Sequence, residues 1–299
     1  MQPLNPISRW QIGLILTIGV IAISTAAVLV RLTIAAANMS GVGFSLVMAA
    51  SRLAIASLIL LPTWHTLSAR KHTKTAWYCA IAAGLALALH FATWITSLSY
   101  TSIAASTAIV TTNPIWVALL SWLWFKEKTS RQTLLGIGLA LMGGLLICLG
   151  DIGGSRPSNP LLGNGLALVG AWASSGYILL GRAAQHHGFR IGEYAAVAYT
   201  TAAIALLPLP LLLGYGYTNY PPIVYGYLIL MALVPQVIGH TSFNWAVRWV
   251  SPTLLTLVIL LEPIFASILG YFLFAEIPGT LMLMGTLVLL VGVAIAVMD

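Results

Sequence analysis

Charge is what this chain has least of. Asp, Glu, Lys and Arg make up 6% of its 299 residues, whereas hydrophobic residues make up 60%, and a soluble domain carries about 25% charged residues. The mean hydropathy is +0.97. Because so few charged side chains cannot cover the surface of a water-soluble protein of this length, the composition predicts an integral membrane protein embedded in a lipid bilayer.

The sequence also lacks the motifs of several function classes. Its two cysteines, Cys79 and Cys148, form no metal-ligand spacing, so we expect no metal site. It has no phosphate-binding loop and no constellation of catalytic acids, activated serine or metal ligands, so we expect neither an enzyme nor a cofactor. The net charge of +7 comes from short basic runs between apolar segments, which argues against nucleic acid as a partner.

Ten apolar stretches are long enough to span a bilayer as helices. They cover residues of about 12–31, 41–62, 76–98, 102–124, 133–150, 161–181, 191–213, 223–247, 252–274 and 279–298. The N-terminus and every second loop after it carry ten Lys and Arg residues, the other loops carry two, and Arg52 lies within a span. Because basic residues favour cytoplasmic loops, we predict a multi-pass protein of the plasma (inner) membrane with both termini in the cytoplasm.

One motif occurs twice at constant spacing. Asn113-Pro114-Ile115-Trp116 precedes Glu127, Glu262-Pro263-Ile264-Phe265 precedes Glu276, and both parts are offset by 149 residues. The spacing predicts a first repeat over 1–150, a linker over 151–160 and a second repeat over 161–299. With five spans in each repeat, the second lies upside down relative to the first. The predicted fold is therefore an all-α polytopic membrane protein of ten transmembrane helices in two inverted five-helix repeats.

The second copy of this motif resembles a known family. The segment 261–270, followed by Glu276, Gly285 and Gly292, is similar to the end of the EamA-type repeat of the drug/metabolite transporter superfamily. Arg52 resembles the arginine that this family often carries in its second helix, and the first copy departs by carrying Asn113 where the second has Glu262. The resemblance covers both halves. It implies a ten-helix carrier of small metabolites, in the branch that exports aromatic and other neutral amino acids.

The paired prolines fall near the middle of spans four and nine. Proline lacks an N–H and clashes with the carbonyl one turn earlier, so Pro114 and Pro263 predict hinges in bent helices that line a central cavity. The carbonyls freed near Val110 and Ile259 would then be available to a solute. Kinks that merely help the helices pack are the alternative.

Two charged residues lie within spans, where a charge is unfavourable unless it is neutralised or paired. Glu262 is a candidate for proton coupling, for a protonated contact between helices, or for an ion pair with Arg52. Arg52 is a candidate for binding a substrate carboxylate, for capping helix-end carbonyls, or for that same ion pair. The sequence leaves a coupling and a structural role open for both.

Other polar and aromatic residues share helix faces within the spans. His90 and Trp94 are four residues apart in span three, and His240 and Asn244 have the same spacing in span eight. The inverted topology predicts that the two histidines lie on opposite rims of one cavity. Deep aromatic residues beside hydroxyl groups would hold the apolar part of a solute, with packing against lipid or helices as the alternative. The predicted substrate-binding residues are His90, Trp94, Asn113, Trp172, Tyr199, His240 and Asn244.

These features favour a secondary transporter over an enzyme or a channel, because a channel needs a continuous polar stripe. Phosphorylated solutes would need several cations within the membrane, and Arg52 is the only one. We therefore predict export of amino acids, with aromatic and other neutral ones favoured, by alternating access between the repeats. Export of drugs or other small metabolites by the same fold is the alternative. We expect a monomer, and a homodimer stays open.

Overall fold

The computed structural model describes residues 8–68, 72–125, 130–152, 159–250, 255 and 258–297. All regular secondary structure in these ranges is helical. The first repeat contains α1 Arg9–Ser24, α2 Ala26–Ala37, α3 Val42–Ile59, α4 Thr63–Ser68, α5 Lys74–Ser97, α6 Ile103–Val110, α7 Asn113–Phe125 and α8 Arg131–Ile152. The second contains α9 Pro160–His186, α10 Ile191–Leu206, α11 Pro208–Leu212, α12 Pro222–Met231, a π-helix Ala232–His240, α13 Thr241–Ala246, α14 Glu262–Phe274 and α15 Thr280–Val297.

The predicted all-α polytopic membrane fold is confirmed. Within the described residues, seven helical segments are long and apolar enough to cross a bilayer, and spans five, nine and ten are shorter apolar helices. The helix α8 extends to Ile152, into the predicted linker over 151–160. Glu127, residues 153–158 of that linker, and residues 252–254 and 256–257 of span nine lie outside the described residues.

The outer surface of the helix bundle is apolar. Large hydrophobic side chains on several spans are exposed, including Leu135, Leu161, Leu212 and Phe272. Contiguous apolar surface on this scale is rare on soluble proteins, whereas helices with all backbone groups bonded internally can present such a surface to lipid.

Helices pack in pairs that the repeat relates. The third span, α5, packs against α9, which opens the second repeat, and α1 likewise packs against the π-helix and α13 of the eighth span. Equivalent spans also meet each other: α3 contacts α10, α6 contacts α14, and α8 contacts α15. Reciprocal contacts of this kind are what two repeats related by a two-fold axis produce.

Glycines let α8 and α15 approach closely. A Cβ atom on Gly143 would lie 2.3 Å from the backbone nitrogen of Leu289, and one on Gly292 would lie 2.4 Å from that of Ala140. Small residues allow membrane helices to come into backbone contact. These glycines therefore serve packing between the two repeats of one chain.

Spans four and nine break just before their prolines. The helix α6 ends at Val110 and α7 begins at Asn113, while a turn at residues 260–261 precedes α14 at Glu262. Pro114 and Pro263 are then the second residues of new helices, where the missing N–H has no partner to lose. The structure thus places a break at each predicted hinge, and movement at these breaks stays a prediction.

The ends of the spans define two faces of the bundle. The terminal face carries the start of α1 at Arg9 and the end of α15 at Val297, and the distal face carries the end of α2 at Ala37 and the start of α9 at Pro160. Gln132, at the start of α8, donates to the carbonyl of Ile295 at 3.4 Å, which ties two elements of the terminal face together.

Candidate functional site

A cavity with an empty volume of about 760 Å³, the space at its mouth included, lies between the two repeats. Its walls come from α1, α2, α3, α5, α6 and α7 of the first repeat, and from α9, the π-helix, α13 and α14 of the second. It extends from the middle of the bundle to the terminal face, where the exposed Arg182 lines it beside Gln185.

Arg52 and Glu262 place a guanidinium and a carboxyl group on the cavity wall at mid-bundle. Arg52 is fully buried, and Glu262 is 8% exposed at the first position of α14. No salt bridge joins these two residues in the described structure. The predicted ion pair between them is therefore not formed here, because Arg52 is held elsewhere.

Gln236 and Phe91 hold the Arg52 guanidinium. Its Nε donates to the side-chain oxygen Oε1 of Gln236 at 2.9 Å. Its Cζ lies 4.1 Å from the centroid of the Phe91 ring, within the range of a cation–π interaction. The terminal nitrogens Nη1 and Nη2 are buried and have no hydrogen-bond partner among the described residues.

Aromatic rings form much of the wall around this charge. The rings of His90 and Trp94 lie 6.0 Å apart with planes 2° from parallel, and the His240 ring lies 5.4 Å from Phe91 and 6.4 Å from Tyr177. All five residues line the cavity. The structure thus offers flat apolar surfaces on which a ring-bearing solute could stack.

The two histidines do not lie on opposite rims. The rings of His90 and His240 are only 6.4 Å apart, so that prediction is wrong. Equivalent positions of two inverted repeats lie at opposite ends of the bundle only when they are far from the membrane midplane. At 6.4 Å these two rings must lie at a similar depth in the bundle.

Hydrogen bonds fix the polar wall residues. Nδ1 of His90 lies 2.9 Å from the carbonyl oxygen of Gly170, and because a carbonyl only accepts, this nitrogen carries the proton and donates. Nδ2 of Asn244 donates to the hydroxyl of Tyr177 at 2.7 Å. The first contact joins α9 to α5, and the second joins α9 to α13.

The side chain of Asn113 donates to the Val110 carbonyl, which Pro114 leaves without its usual backbone partner. With its amide oriented by its hydrogen-bonding surroundings, the side-chain nitrogen donates to the carbonyl of Val110 at 2.9 Å and to that of Ala171 at 3.2 Å. The expectation that the Val110 carbonyl is available to a solute is therefore wrong. Asn113 still lines the cavity, so its predicted contact with substrate stays open.

Two predicted binding residues lie away from the cavity wall. Tyr199 is fully buried, and its hydroxyl lies 3.4 Å from the carbonyl of Gln236 and 3.2 Å from the hydroxyl of Thr241. Trp172 is 46% exposed and packs edge-on against Trp116 at 5.2 Å. A residue two positions along a helix points about 200° away, so Trp172 faces outward while Ser174 faces the cavity. Their contact with substrate stays a prediction.

Several lining or supporting residues were not predicted from the sequence. Phe91, Tyr177, Arg182 and Gln185 line the cavity, and Gln236 anchors Arg52. A signal existed for Gln236, which is a polar amide directly after Pro235 in an apolar span. Tyr177 lies one helical turn after Ser174 and so shares its face.

A second polar group, the distal cluster, closes the opposite end of the bundle. It consists of Arg31, Thr101, Ile103, Asn164 and Glu276. Arg31 forms a 3.6 Å salt bridge with Glu276 and also donates to the carbonyl of Thr101. The other carboxylate oxygen of Glu276 accepts the backbone N–H of Ile103 at 3.0 Å, and the Thr101 hydroxyl donates to Asn164 at 2.7 Å. None of these residues lines the cavity.

The distal cluster joins spans of both repeats at the distal face. A Cβ atom on Gly163 would lie 2.7 Å from Cβ of Thr101, so the start of α9 is pressed against the end of the third span. The cavity is thus separated from the distal face by a bonded polar layer, whereas it reaches the surface at the terminal face.

Comparison with known proteins identifies the fold independently. The model of the EamA-like transporter family matches the chain twice, over residues 10–149 and 161–298. A solved structure titled only as the crystal structure of a protein is similar over 97% of both chains, with a TM-score of 0.64 and 17% sequence identity. At that identity the likeness concerns the fold alone. The search of curated proteins found no match.

Proposed function

We propose that this chain, which belongs to the EamA-like transporter family, exports neutral amino acids, with aromatic ones favoured. The family is one of transporters. The observation that carries the proposal is the composition of the buried part of the cavity wall, in which Arg52 and Glu262 lie among aromatic rings. A neutral amino acid carries one carboxylate, one ammonium group and an apolar side chain, so it can complement all three parts of such a wall.

Alternating access between the repeats is the proposed mechanism. The cavity reaches the terminal face beside Arg182, and the distal cluster separates it from the other face. The basic loops favour a cytoplasmic location for the terminal face, in the plasma (inner) membrane. The structure would then correspond to the state that takes up solute from the cytoplasm. Breakage of the distal cluster and closure beside Arg182 would release the solute outside.

Export of lipophilic drugs is the second candidate. The rings of Phe91, Trp94 and Tyr177 would stack on a planar drug as well as on an aromatic amino acid. The charged pair favours the amino acid, because a lipophilic cation would leave Arg52 without a counter-charge in a buried site.

Flux through the purified protein in liposomes tests the proposal. We expect saturable flux of labelled phenylalanine, threonine or methionine, each measured with and without a pH gradient to identify coupling. Ethidium flux in the same vesicles tests the drug candidate. The absence of flux for every amino acid under both conditions would overturn the amino-acid assignment, and ethidium flux alone would favour the second candidate.

Two tryptophan variants test whether the substrate contacts the cavity wall or the outer side of α9. Trp94 lines the cavity, whereas Trp172 is exposed on the outside. We expect Trp94→Ala to raise the KM for phenylalanine and Trp172→Ala to leave it within the range of Trp10→Ala, a tryptophan that is 68% exposed at the start of α1. The reverse order would place Trp172 at the substrate and contradict the proposed site.

A further inference from the structure

We infer that Arg52, held in place by Gln236, is the receptor for a substrate carboxylate, and that Gln236 is a positioning residue of this site. The inference rests on the proposed transport function and deepens it, because it names the chemical group that a solute must carry. It also assigns a role to Gln236.

Arg52 has unused hydrogen-bonding capacity. A guanidinium has five N–H donors, and the described structure accounts for the one on Nε. Nη1 and Nη2 are buried without a partner on a residue that lines the cavity. Buried donors in native proteins are nearly always paired, so this site is built for an acceptor that enters from the cavity.

A carboxylate is the acceptor that fits the terminal nitrogens of Arg52. Nη1 and Nη2 form a planar fork that matches the two oxygens of a carboxylate. Trp94 adds a third donor to the same cavity, because its indole Nε1 is also buried without a partner. Its ring lies 6.3 Å from Phe91, on whose face the guanidinium rests. Three orphan donor nitrogens in one cavity favour an anionic, acceptor-only group.

Gln236 sets the orientation of this fork. Its Oε1 holds Nε of Arg52 at 2.9 Å, so the two terminal nitrogens point away from Gln236. Gln236 lies in the π-helix Ala232–His240, directly after Pro235. The wider turn of a π-helix is uncommon and occurs often at functional sites.

The backbone of Gln236 is fixed as well. Its carbonyl accepts a hydrogen bond from the hydroxyl of Tyr199 at 3.4 Å. Tyr199, which does not line the cavity, therefore supports the site through Gln236. Tyr199 can therefore act on the site through Gln236 while it lies away from the cavity wall.

Competition with matched analogues tests the inference. Unlabelled phenylalanine, phenylalaninamide, phenethylamine and 3-phenylpropionate are compared as inhibitors of labelled phenylalanine uptake into liposomes. A bidentate charge-assisted contact is worth about a ten- to hundredfold change in affinity. We therefore expect phenylalaninamide and phenethylamine to inhibit about ten- to a hundredfold more weakly than phenylalanine, because both lack the carboxylate.

Variants assign that preference to Arg52. In Arg52→Gln and Arg52→Lys the advantage of phenylalanine over phenylalaninamide should fall to within about threefold, since neither side chain offers the fork. Gln236→Leu should raise KM about tenfold with little change in maximal flux, because it removes orientation of a binding group. Arg131→Lys and Gln132→Leu, at exposed positions on α8, are the matched controls. An undiminished acid-over-amide preference in Arg52→Gln would overturn the inference.

A binding measurement keeps the two proposals distinguishable. Intrinsic tryptophan fluorescence of the detergent-purified protein is titrated with phenylalanine, 3-phenylpropionate and phenethylamine. If 3-phenylpropionate binds in wild type but not in Arg52→Gln while no amino acid is transported, the carboxylate receptor stands and the amino-acid assignment falls. If phenylalanine is transported and phenylalaninamide competes equally well, the receptor falls and the assignment stands. If none of the three ligands binds, both fall.

Discussion

Replacing Glu276 with Gln should loosen the distal cluster while keeping its shape. Glutamine retains an oxygen that can accept the Ile103 N–H, but it removes the charge that faces Arg31. The salt bridge is 3.6 Å long, with side chains that are 27% and 16% exposed for Arg31 and Glu276. A partly exposed pair of this kind contributes about 0.2–1 kcal/mol.

The contact with Ile103 adds a second contribution. Ile103 is the first residue of α6, and its N–H reaches the Glu276 carboxylate at 3.0 Å. Charge at a helix N-terminus is worth about 0.3–1 kcal/mol. Together the two losses come to about 0.5–2 kcal/mol, which corresponds to about a 2- to 30-fold shift toward a state that is open at the distal face.

Thiol labelling measures that shift. Val110 lines the cavity and is almost fully buried, so Val110→Cys, in a chain whose Cys79 and Cys148 are replaced by serine, reports access to the cavity. A membrane-impermeant thiol reagent is added to one side of oriented proteoliposomes. From the distal side, Glu276→Gln should raise the labelling rate about 2- to 30-fold. From the terminal side the rate should not rise, which separates gate opening from general loosening of the fold.

Two further variants complete the design. Arg31→Gln combined with Glu276→Gln should raise the labelling rate by less than the product of the two single effects, because both substitutions remove the same salt bridge. Glu193, which accepts the backbone N–H of Arg190 at 2.8 Å near the terminal face, supplies the matched control. Glu193→Gln should leave distal labelling unchanged. Labelling of Glu276→Gln from the distal side at the wild-type rate would refute the assignment of the distal cluster as a gate.

Stability measurements test two features of the scaffold. Gly143→Val should lower the midpoint of thermal unfolding in detergent or prevent folding, because overpacking against a backbone is unfavourable by about 1–3 kcal/mol or more. Gly138 lies on the same helix with nothing within 4 Å of its Cβ position, so Gly138→Val should leave the midpoint unchanged. Equal effects of the two substitutions would contradict the packing argument. Asn113→Leu should also lower this midpoint, because it leaves the Val110 carbonyl buried without its donor, a loss of about 1–3 kcal/mol; an unchanged midpoint would show that the carbonyl has another partner.

The fold could be predicted from the sequence because a bilayer imposes simple rules. A spanning helix needs a minimum length of apolar residues, and each half of the chain shows them at the same spacing. The paired prolines located the breaks in spans four and nine for a similar reason, since proline cannot continue a helix without losing a hydrogen bond. These are local properties of the chain, and the sequence alone carries them.

The candidate site was predictable only in part, because facing and depth depend on how helices pack. Trp172 was expected at the substrate from its polar neighbours, yet its side of α9 is turned outward. His90 and His240 were placed on polar faces of spans three and eight, but their meeting at 6.4 Å depends on how those spans pack. The π-helix that presents Gln236 follows from packing around Pro235, which no periodicity of the sequence reveals.

Residues that occur in both repeats differ in role from residues that occur in only one repeat. The prolines occur as an equivalent pair, 149 residues apart, and both lie at helix breaks. Arg52 and Glu262 have no charged equivalents, since Thr201 lies near the position equivalent to Arg52 and Asn113 lies at the position equivalent to Glu262. Alternating access, as proposed, needs a gate at each face, so duplication of the hinges would serve it. A solute with a negative and a positive end, as proposed, would be bound once, and two copies of each charge would place like charges together in a buried site.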